Sequence, residues 1–419
     1  MFANAPTRGR AASLWAGLLI GALLFVPGAL GYLYEASSFA PGTSFIGILA
    51  LALAATGNIP LTSTDIQTAF AAAGVTTLVL LIHLLLATAI GNDPSLDVSR
   101  AFLSIILLGL IIVSVPAVRE GVMGEDTRIT AAIRIVCTLF ALSAIFSLAQ
   151  IQPETASLGA KPIFPYTEPS FLGFSLPAAL IFTMLRAPRL VRLVIVLTFF
   201  ALGYGLGNFT IIVACVLAAA TALPLSWLVA GLIVGVIGSA SLDLSYYAER
   251  LDFNWATSTN LSALVYVQGW QMLGESLHKS LGWGIGFQQL GIVYTNVPAS
   301  IRINLLLGRD ANLQDGGFIM SKIGSELGLL GMLLIVAYFY TAVRSFLRLR
   351  TIAKPGVKIT DAELFARACV VGYLVEMAVR GTNYFTGTFM LLLAALSYLV
   401  RRRVASGARP ATRAAGQPA

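Results

Sequence analysis

Charge is what this sequence has least of. Asp, Glu, Lys and Arg make up 11% of the 419 residues, against 57% hydrophobic residues, and the mean hydropathy is +0.84. A water-soluble chain carries about a quarter charged residues, so composition excludes a soluble globular protein and places the chain in the membrane class. Cysteine is scarce too. Cys137, Cys215 and Cys369 each lie inside an apolar run, which excludes a disulfide framework and reads as small core residues. The two histidines, His83 and His278, are too few for a His-based metal centre, and no D-x-D motif occurs anywhere. No metal and no cofactor are therefore expected. His83, in the middle of an apolar run, reads as a hydrogen-bonded packing residue.

Long apolar runs are what the sequence does have. A bilayer-crossing helix needs about 20 apolar residues, and stretches such as Ala11–Tyr32, Ile129–Gln150 and Phe318–Val343 meet that length. The first is too long for a secretory h-region and has no small-residue cleavage site, so it is expected to stay as a helix. Spans are placed near 11–32, 40–57, 70–90, 101–118, 129–149, 169–185, 193–207, 208–223, 225–241, 317–343, 361–380 and 382–400. The expectation is an all-α polytopic membrane protein, a single integral domain over 1–419 with about twelve transmembrane helices. The seventh and eighth spans are separated only by a short turn signal at Gly203–Asn208.

The formal net charge of +8 follows from orientation, not from nucleic-acid binding. With the N-terminus inside, the clusters Arg186/Arg189/Arg192, Arg344/Arg348/Arg350 and Arg401–Arg403 all fall on the cytoplasmic side, as the positive-inside rule requires. Both termini are then cytoplasmic. The tail 404–419, rich in Ala, Gly, Pro and Arg, is expected to be disordered.

One loop is long. Residues 242–316 fall on the outer, periplasmic side, and a loop of that length in a compact bundle has a function or is disordered; its Trp, Tyr and Gly content argues against disorder. Within it Tyr266, Trp270, Leu273 and Leu277 recur at helical spacing, the pattern of a helix on the membrane surface or capping the bundle. Gly282-Trp-Gly-Ile-Gly-Phe287 follows as a flexible Gly-rich turn, without the strand that a dinucleotide fingerprint needs.

Ionisable residues at membrane depth need partners or a function. Lys322 with Glu326, and Glu376 with Arg380, are spaced four apart at the outer ends of their spans. Two readings stand: intrahelical pairs that neutralise themselves, or a cationic pocket in which Arg380, Arg302 and Arg309 bind phosphate oxygens at headgroup level. Glu168, in Pro165-Tyr-Thr-Glu-Pro-Ser170, and Asp315, before Gly316-Gly317, each read either as a helix-capping acid or as a carboxylate placed for acid–base work. His278 and Lys279 read as favourable charge at a helix C-terminus, and Asp361 and Glu363 as charges at a helix N-terminus.

Four stretches carry a resemblance. Tyr166-Thr-Glu-Pro-Ser-Phe-Leu-Gly173, Leu281-Gly-Trp-Gly-Ile-Gly-Phe287, Asp315 through Gly331 and Val379-Arg-Gly-Thr-Asn-Tyr-Phe385 resemble, in this order, the O-antigen polymerase and ligase superfamily of bacterial surface-glycan assembly. The resemblance implies a glycosyltransferase C-like helical fold in the bacterial inner membrane, acting at its periplasmic face on undecaprenyl-diphosphate-linked oligosaccharides. It implies membrane lipids, a flippase and a chain-length regulator as partners. Ligases of this superfamily place a histidine before the helix that ends in Glu-x-Gly-x-x-Gly. Here Asp315-Gly316 stands there, while Glu326, Gly328 and Gly331 keep the rest, which favours the polymerase branch.

On that reading Arg302, Arg309 and Arg380 bind the donor diphosphate, and Glu168 or Asp315 takes the acceptor's proton. Tyr166, Lys279, Lys322, Glu326 and Glu376 support them, and Tyr266, Trp270 or Trp283 stacks on sugars or packs on lipid. A ligase or another lipid-linked-glycan transferase is the alternative within the class. A lipid-linked-oligosaccharide flippase is the alternative outside it, disfavoured by the absence of matched halves and by charges gathered at one face.

Overall fold

The computed structural model describes residues 5–34, 38–91, 96–124, 129–151, 163–239, 245–293, 295–354 and 356–407. Its elements are helices in chain order: α1 (Ala5–Tyr34), α2 (Ala40–Ala55), α3 (Ser63–Gly91), α4 (Val98–Met123), α5 (Thr130–Leu148), α6 (Pro169–Ser175), α7 (Pro177–Leu185), α8 (Arg189–Gly205) and α9 (Phe209–Ala222). There follow α10 (Leu225–Ser239), α11 (Ser245–Arg250), α12 (Leu261–Lys279), α13 (Pro298–Leu307), α14 (Ile319–Ile352), α15 (Asp361–Gly372), α16 (Leu374–Ala378) and α17 (Gly387–Gly407). Among the described residues no strand forms, and the only bridges are Ile163 with Tyr166 and Leu290 with Val293.

Each expected span meets a helix, and the differences have local causes. Span 169–185 is two helices because Pro177 brings no N–H to the ladder and its ring crowds the preceding turn. The turn between α8 and α9 is real: the Asn208 side chain accepts from the Thr210 and Ile211 N–H groups at 3.0 and 3.2 Å, capping α9. Span 361–380 breaks at Tyr373 and its helix stops at Ala378. α17 runs past Arg403 to Gly407, so the tail expected from 404 starts as helix, and 408–419 lie outside the described residues.

Among the described residues five helices are long and apolar enough to cross a membrane by length and composition: Ala12–Tyr34, Ser63–Ile90, Val98–Met123, Thr130–Leu148 and Ile319–Ile352. Their outward faces are hydrocarbon. Leu78, Ile82 and Leu85 on α3 and Leu329, Leu333 and Val336 on α14 are all exposed. Apolar surface of that extent suits lipid and not water. α15 is the centre of the bundle, buried from Ala362 to Cys369 apart from Arg367 and packed on α7, α14 and α17.

α14 is broken at Gly328, whose φ of 58° and ψ of −134° leave the helical region. The Gly-rich segment after α12 repairs the break. The Ile285 and Gly286 N–H groups donate to the Ser325 and Glu326 carbonyls, both at 3.0 Å, and the Leu329 N–H donates to the Gly282 carbonyl at 2.8 Å. A Cβ on Gly284 (φ 95°) would stand 2.5 Å from the Gly328 nitrogen, so only glycine lets the two backbones meet. The expected flexible turn is thus a fixed splint, because backbone groups freed inside an apolar bundle must find partners. His83 locks it from the other side. Its Nε2 lies 3.0 Å from the Trp283 carbonyl, the Trp283 indole N–H donates to the His83 carbonyl at 3.2 Å, and the rings stack at 5.2 Å.

One end of the bundle is rich in arginine. Arg192 donates to the Ala187, Ala222 and Ala353 carbonyls at the C-terminal ends of α7, α9 and α14, where the helix dipoles favour a cation. Arg119 pairs with Asp65 at 2.6 Å, Arg401 bridges Asp65 and Glu120, and Arg186 pairs with Asp361. The opposite end carries the candidate site.

Candidate functional site

Glu168 occupies the N-cap position of α6 with extended backbone (φ −135°, ψ 142°), yet its carboxylate caps no backbone N–H. It turns to Arg380 instead, at 3.1 Å, and accepts from the Ser170 hydroxyl at 2.9 Å. Arg380 is free to reach it because α16 has ended. The Arg380 N–H bonds back to the Val375 carbonyl at 3.0 Å, five residues earlier, and the next residue, Gly381, donates to the Gly317 carbonyl. The chain thereby leaves the helical register, which corrects the expected four-apart Glu376–Arg380 pair. Glu376 stays buried, accepting from the Thr388 hydroxyl.

The Arg380–Glu168 pair stands in the wall of a cavity of about 680 Å³. Arg250, the last residue of α11, also lines it, as do Asn208, Phe253 and Tyr266 and the apolar Leu206 and Phe209. Burial pushes the Glu168 carboxyl up, but the charge of Arg380 and the hydrogen bonds from Ser170 and Arg380 outweigh it, and the carboxyl is held below its ordinary value. Tyr266 is fixed by its neighbours, 4.8 Å from the Phe318 ring and 5.5 Å from Phe253.

Asp315 lies on a strap, residues 310–317, that separates this cavity from a second one of about 500 Å³; Asn312 lines both. The strap is pinned to the helices on both sides. Gly269 on α12 has no Cβ to meet the Gly316 carbonyl, which such an atom would approach to 2.2 Å, and the buried Lys322 ammonium donates to the Gln314 carbonyl at 2.7 Å. α14 is capped by Phe318, so Asp315 is not its capping acid. Burial raises the Asp315 carboxyl to about 6, against the opposing charges of Lys322 and Arg380 and with a contribution from Glu168. Both candidate carboxylates are therefore in electrostatic reach of Arg380.

Lys322 and Glu326 form the intrahelical pair that their spacing implied, at 2.8 Å and fully buried. Glu326 also accepts from the Tyr384 hydroxyl at 2.7 Å and the Leu290 N–H at 3.3 Å. These groups brace α14 against the 380s loop.

The remaining expected residues fall elsewhere. Arg302 and Arg309 line neither cavity. Arg302 lies on α13 and donates to the Ser258 carbonyl at 3.4 Å, and Arg309 is exposed beyond the left-handed Gly308 that ends that helix. The helix α13 packs on α12 and buries Ala299, Ser300 and Ile303. Lys279 pairs with Glu275 at 2.8 Å in the exposed last turn of α12, beside His278. Tyr166 is buried in the core, its hydroxyl donating to the Leu24 carbonyl at 2.7 Å against Gly28 of α1, so it supports the fold rather than a ligand. Trp283 is spent on His83, while Trp270 is half exposed against Phe318.

Arg250 is the functional candidate that sequence reasoning missed. Its signal was its place in the long loop among Tyr246, Tyr247 and Phe253, but nothing in the spacing ties it to a residue 130 positions later. Among the described residues no group of three or more His, Cys, Asp or Glu side chains gathers to hold a metal ion. Set against protein-family models, curated proteins and solved structures, the chain matches none.

Proposed function

We propose that this chain is a glycan polymerase of the bacterial inner membrane. In this reading about twelve spans cross the bilayer, the arginine-rich end is cytoplasmic, and the two cavities open at the periplasmic face below the loop 242–316. The donor is a growing glycan on undecaprenyl diphosphate and the acceptor a lipid-linked repeat unit. Arg380 and Arg250 bind the donor diphosphate and stabilise the charge that gathers on it as the glycosidic C–O bond breaks. The acceptor oxygen forms the new bond to that carbon, its proton passes to a carboxylate, and undecaprenyl diphosphate leaves.

Of the two carboxylates Asp315 suits the base better. A base works best with a value near the operating pH, and Glu168 is already committed to Arg380 and Ser170. The positive-inside bias, the Arg192 and Arg119 clusters at one end and the motif order support the orientation and the class.

The observation that carries the reading is the pair of arginines, one of them held by the Glu168 carboxylate, in a cavity lined by aromatic and aliphatic side chains such as Phe209, Phe253 and Val265 together with the hydroxyls and amides of Ser170, Asn208, Thr210 and Asn312. That is the chemistry of a prenyl diphosphate. The test is a strain deleted for this chain and complemented with wild type, Arg380→Ala, Arg250→Ala or Arg302→Ala at matched expression. Arg380→Ala and Arg250→Ala should lose the glycan ladder while single repeat units still reach the outside, and Arg302→Ala should keep it. Repeat units trapped inside would make the protein a flippase. Long lipid-linked chains that never reach a final acceptor would make it a ligase.

A further inference from the structure

The second cavity differs from the first in chemistry. Its lining is mainly polar, with Arg100, Gln288, Gln314, Asp315 and Asn383 beside Leu107, Leu313 and the Phe385 ring, where the first cavity sets its arginines and hydroxyls among the apolar Leu206, Phe209, Leu251, Phe253, Leu261 and Val265. Side-chain amides and fixed charges beside one aromatic ring suit a ligand dense in hydroxyl groups, whereas a prenyl chain would leave them unpaired. The wall is also held in place before any ligand arrives. Arg100 donates to the Gln288 amide oxygen at 3.4 Å, and the buried Gln289 beside it accepts from the Asp97 N–H and donates to the Asp97 carbonyl, both at 2.9 Å. Asn383 is fixed by the Phe385 N–H at 2.8 Å.

We infer that this cavity is the acceptor-sugar site: it takes the non-reducing end of the lipid-linked repeat unit through hydroxyl contacts to Arg100, Gln288, Gln314 and Asn383. The inference rests on the polymerase reading and extends it. The strap 310–317 is then the partition between donor and acceptor, and Asn312, common to both cavities, marks where the two substrates meet. Asp315 stands on the acceptor side of that partition, where an incoming hydroxyl arrives, and Arg380 on the donor side.

Two probes separate this claim from the reading beneath it. The first is the repeat-unit oligosaccharide released from its lipid by mild acid, with binding to the purified protein read by saturation-transfer NMR. The second is farnesyl diphosphate, which carries a diphosphate and a prenyl chain but no sugar. The oligosaccharide should bind wild type and Arg380→Ala alike, and lose affinity about tenfold, or ~1.4 kcal/mol, in Arg100→Ala and in the milder Gln314→Ala. Farnesyl diphosphate should bind wild type and both cavity variants, and lose affinity in Arg380→Ala. An oligosaccharide that does not bind wild type, or that is lost in Arg380→Ala and kept in both cavity variants, overturns the acceptor site. Failure of farnesyl diphosphate to bind wild type would instead undo the donor assignment.

Discussion

The buried Lys322–Glu326 pair offers a prediction whose size follows from its partners. Lys322 holds two bonds, to Glu326 at 2.8 Å and to the Gln314 carbonyl at 2.7 Å. Glu326 holds three, the others coming from Tyr384 and Leu290. Breaking a buried pair by removing one partner costs about 3–5 kcal/mol, because a charge is stranded. Lys322→Met leaves Glu326 with two neutral donors, so it belongs near the lower end, about 3 kcal/mol. Glu326→Leu leaves the ammonium with one carbonyl and also strands the Tyr384 hydroxyl, so it belongs near the upper end, about 5 kcal/mol. The double variant strands no charge and loses the bonds to Tyr384, Leu290 and the Gln314 carbonyl, about 1 kcal/mol each, so it should stay well below the sum of the singles. A double-mutant cycle by denaturant titration in detergent micelles reads all three. Singles within about 0.5 kcal/mol of wild type, or a double variant equal to the sum of the singles, would refute the reasoning.

Two further outcomes follow from the site. In the proposed reaction Asp315 would take the proton only when ionised, so chain-elongation rate should rise with pH through about 6 and level off above it. Asp315→Asn should abolish that limb and most of the rate at every pH, whereas an unchanged profile would assign the proton to Glu168. At the splint, Gly284→Ala puts a Cβ 2.5 Å from the Gly328 nitrogen at a φ of 95°, so the variant should accumulate poorly and elute as aggregate on size exclusion. Normal yield and elution would mean that the break in α14 is not held there.

What the sequence made legible was what neighbours along the chain decide. Apolar runs located the helices, Asn208 and Pro177 acted locally, and the Lys322–Glu326 pair formed because four residues is one turn of an unbroken helix. The same rule failed at Glu376 and Arg380, where the helix stops at Ala378 and the intervening backbone unwinds. Tertiary contacts were hidden altogether. Nothing in the spacing says that Glu168 meets Arg380, that Arg250 joins them while Arg302 does not, or that the glycines at 282, 284 and 286 answer Gly328. The glycines could be read as permission for an unusual backbone, but not which backbone they would face. Asp315 and Glu168 looked alike as residues before helices; they are separated only by their surroundings, one half-buried near the charge of Lys322 and the other tied to an arginine.

The most direct test of the central claim is reconstitution. Purified wild type and Arg380→Ala would be placed in lipid nanodiscs with lipid-linked repeat units extracted from the deletion strain, and both glycan length and released undecaprenyl diphosphate would be measured. The account predicts chains that lengthen with one diphosphate released per linkage in wild type, and neither product in Arg380→Ala. No chain growth by well-folded wild type, or growth that Arg380→Ala leaves intact, would contradict it.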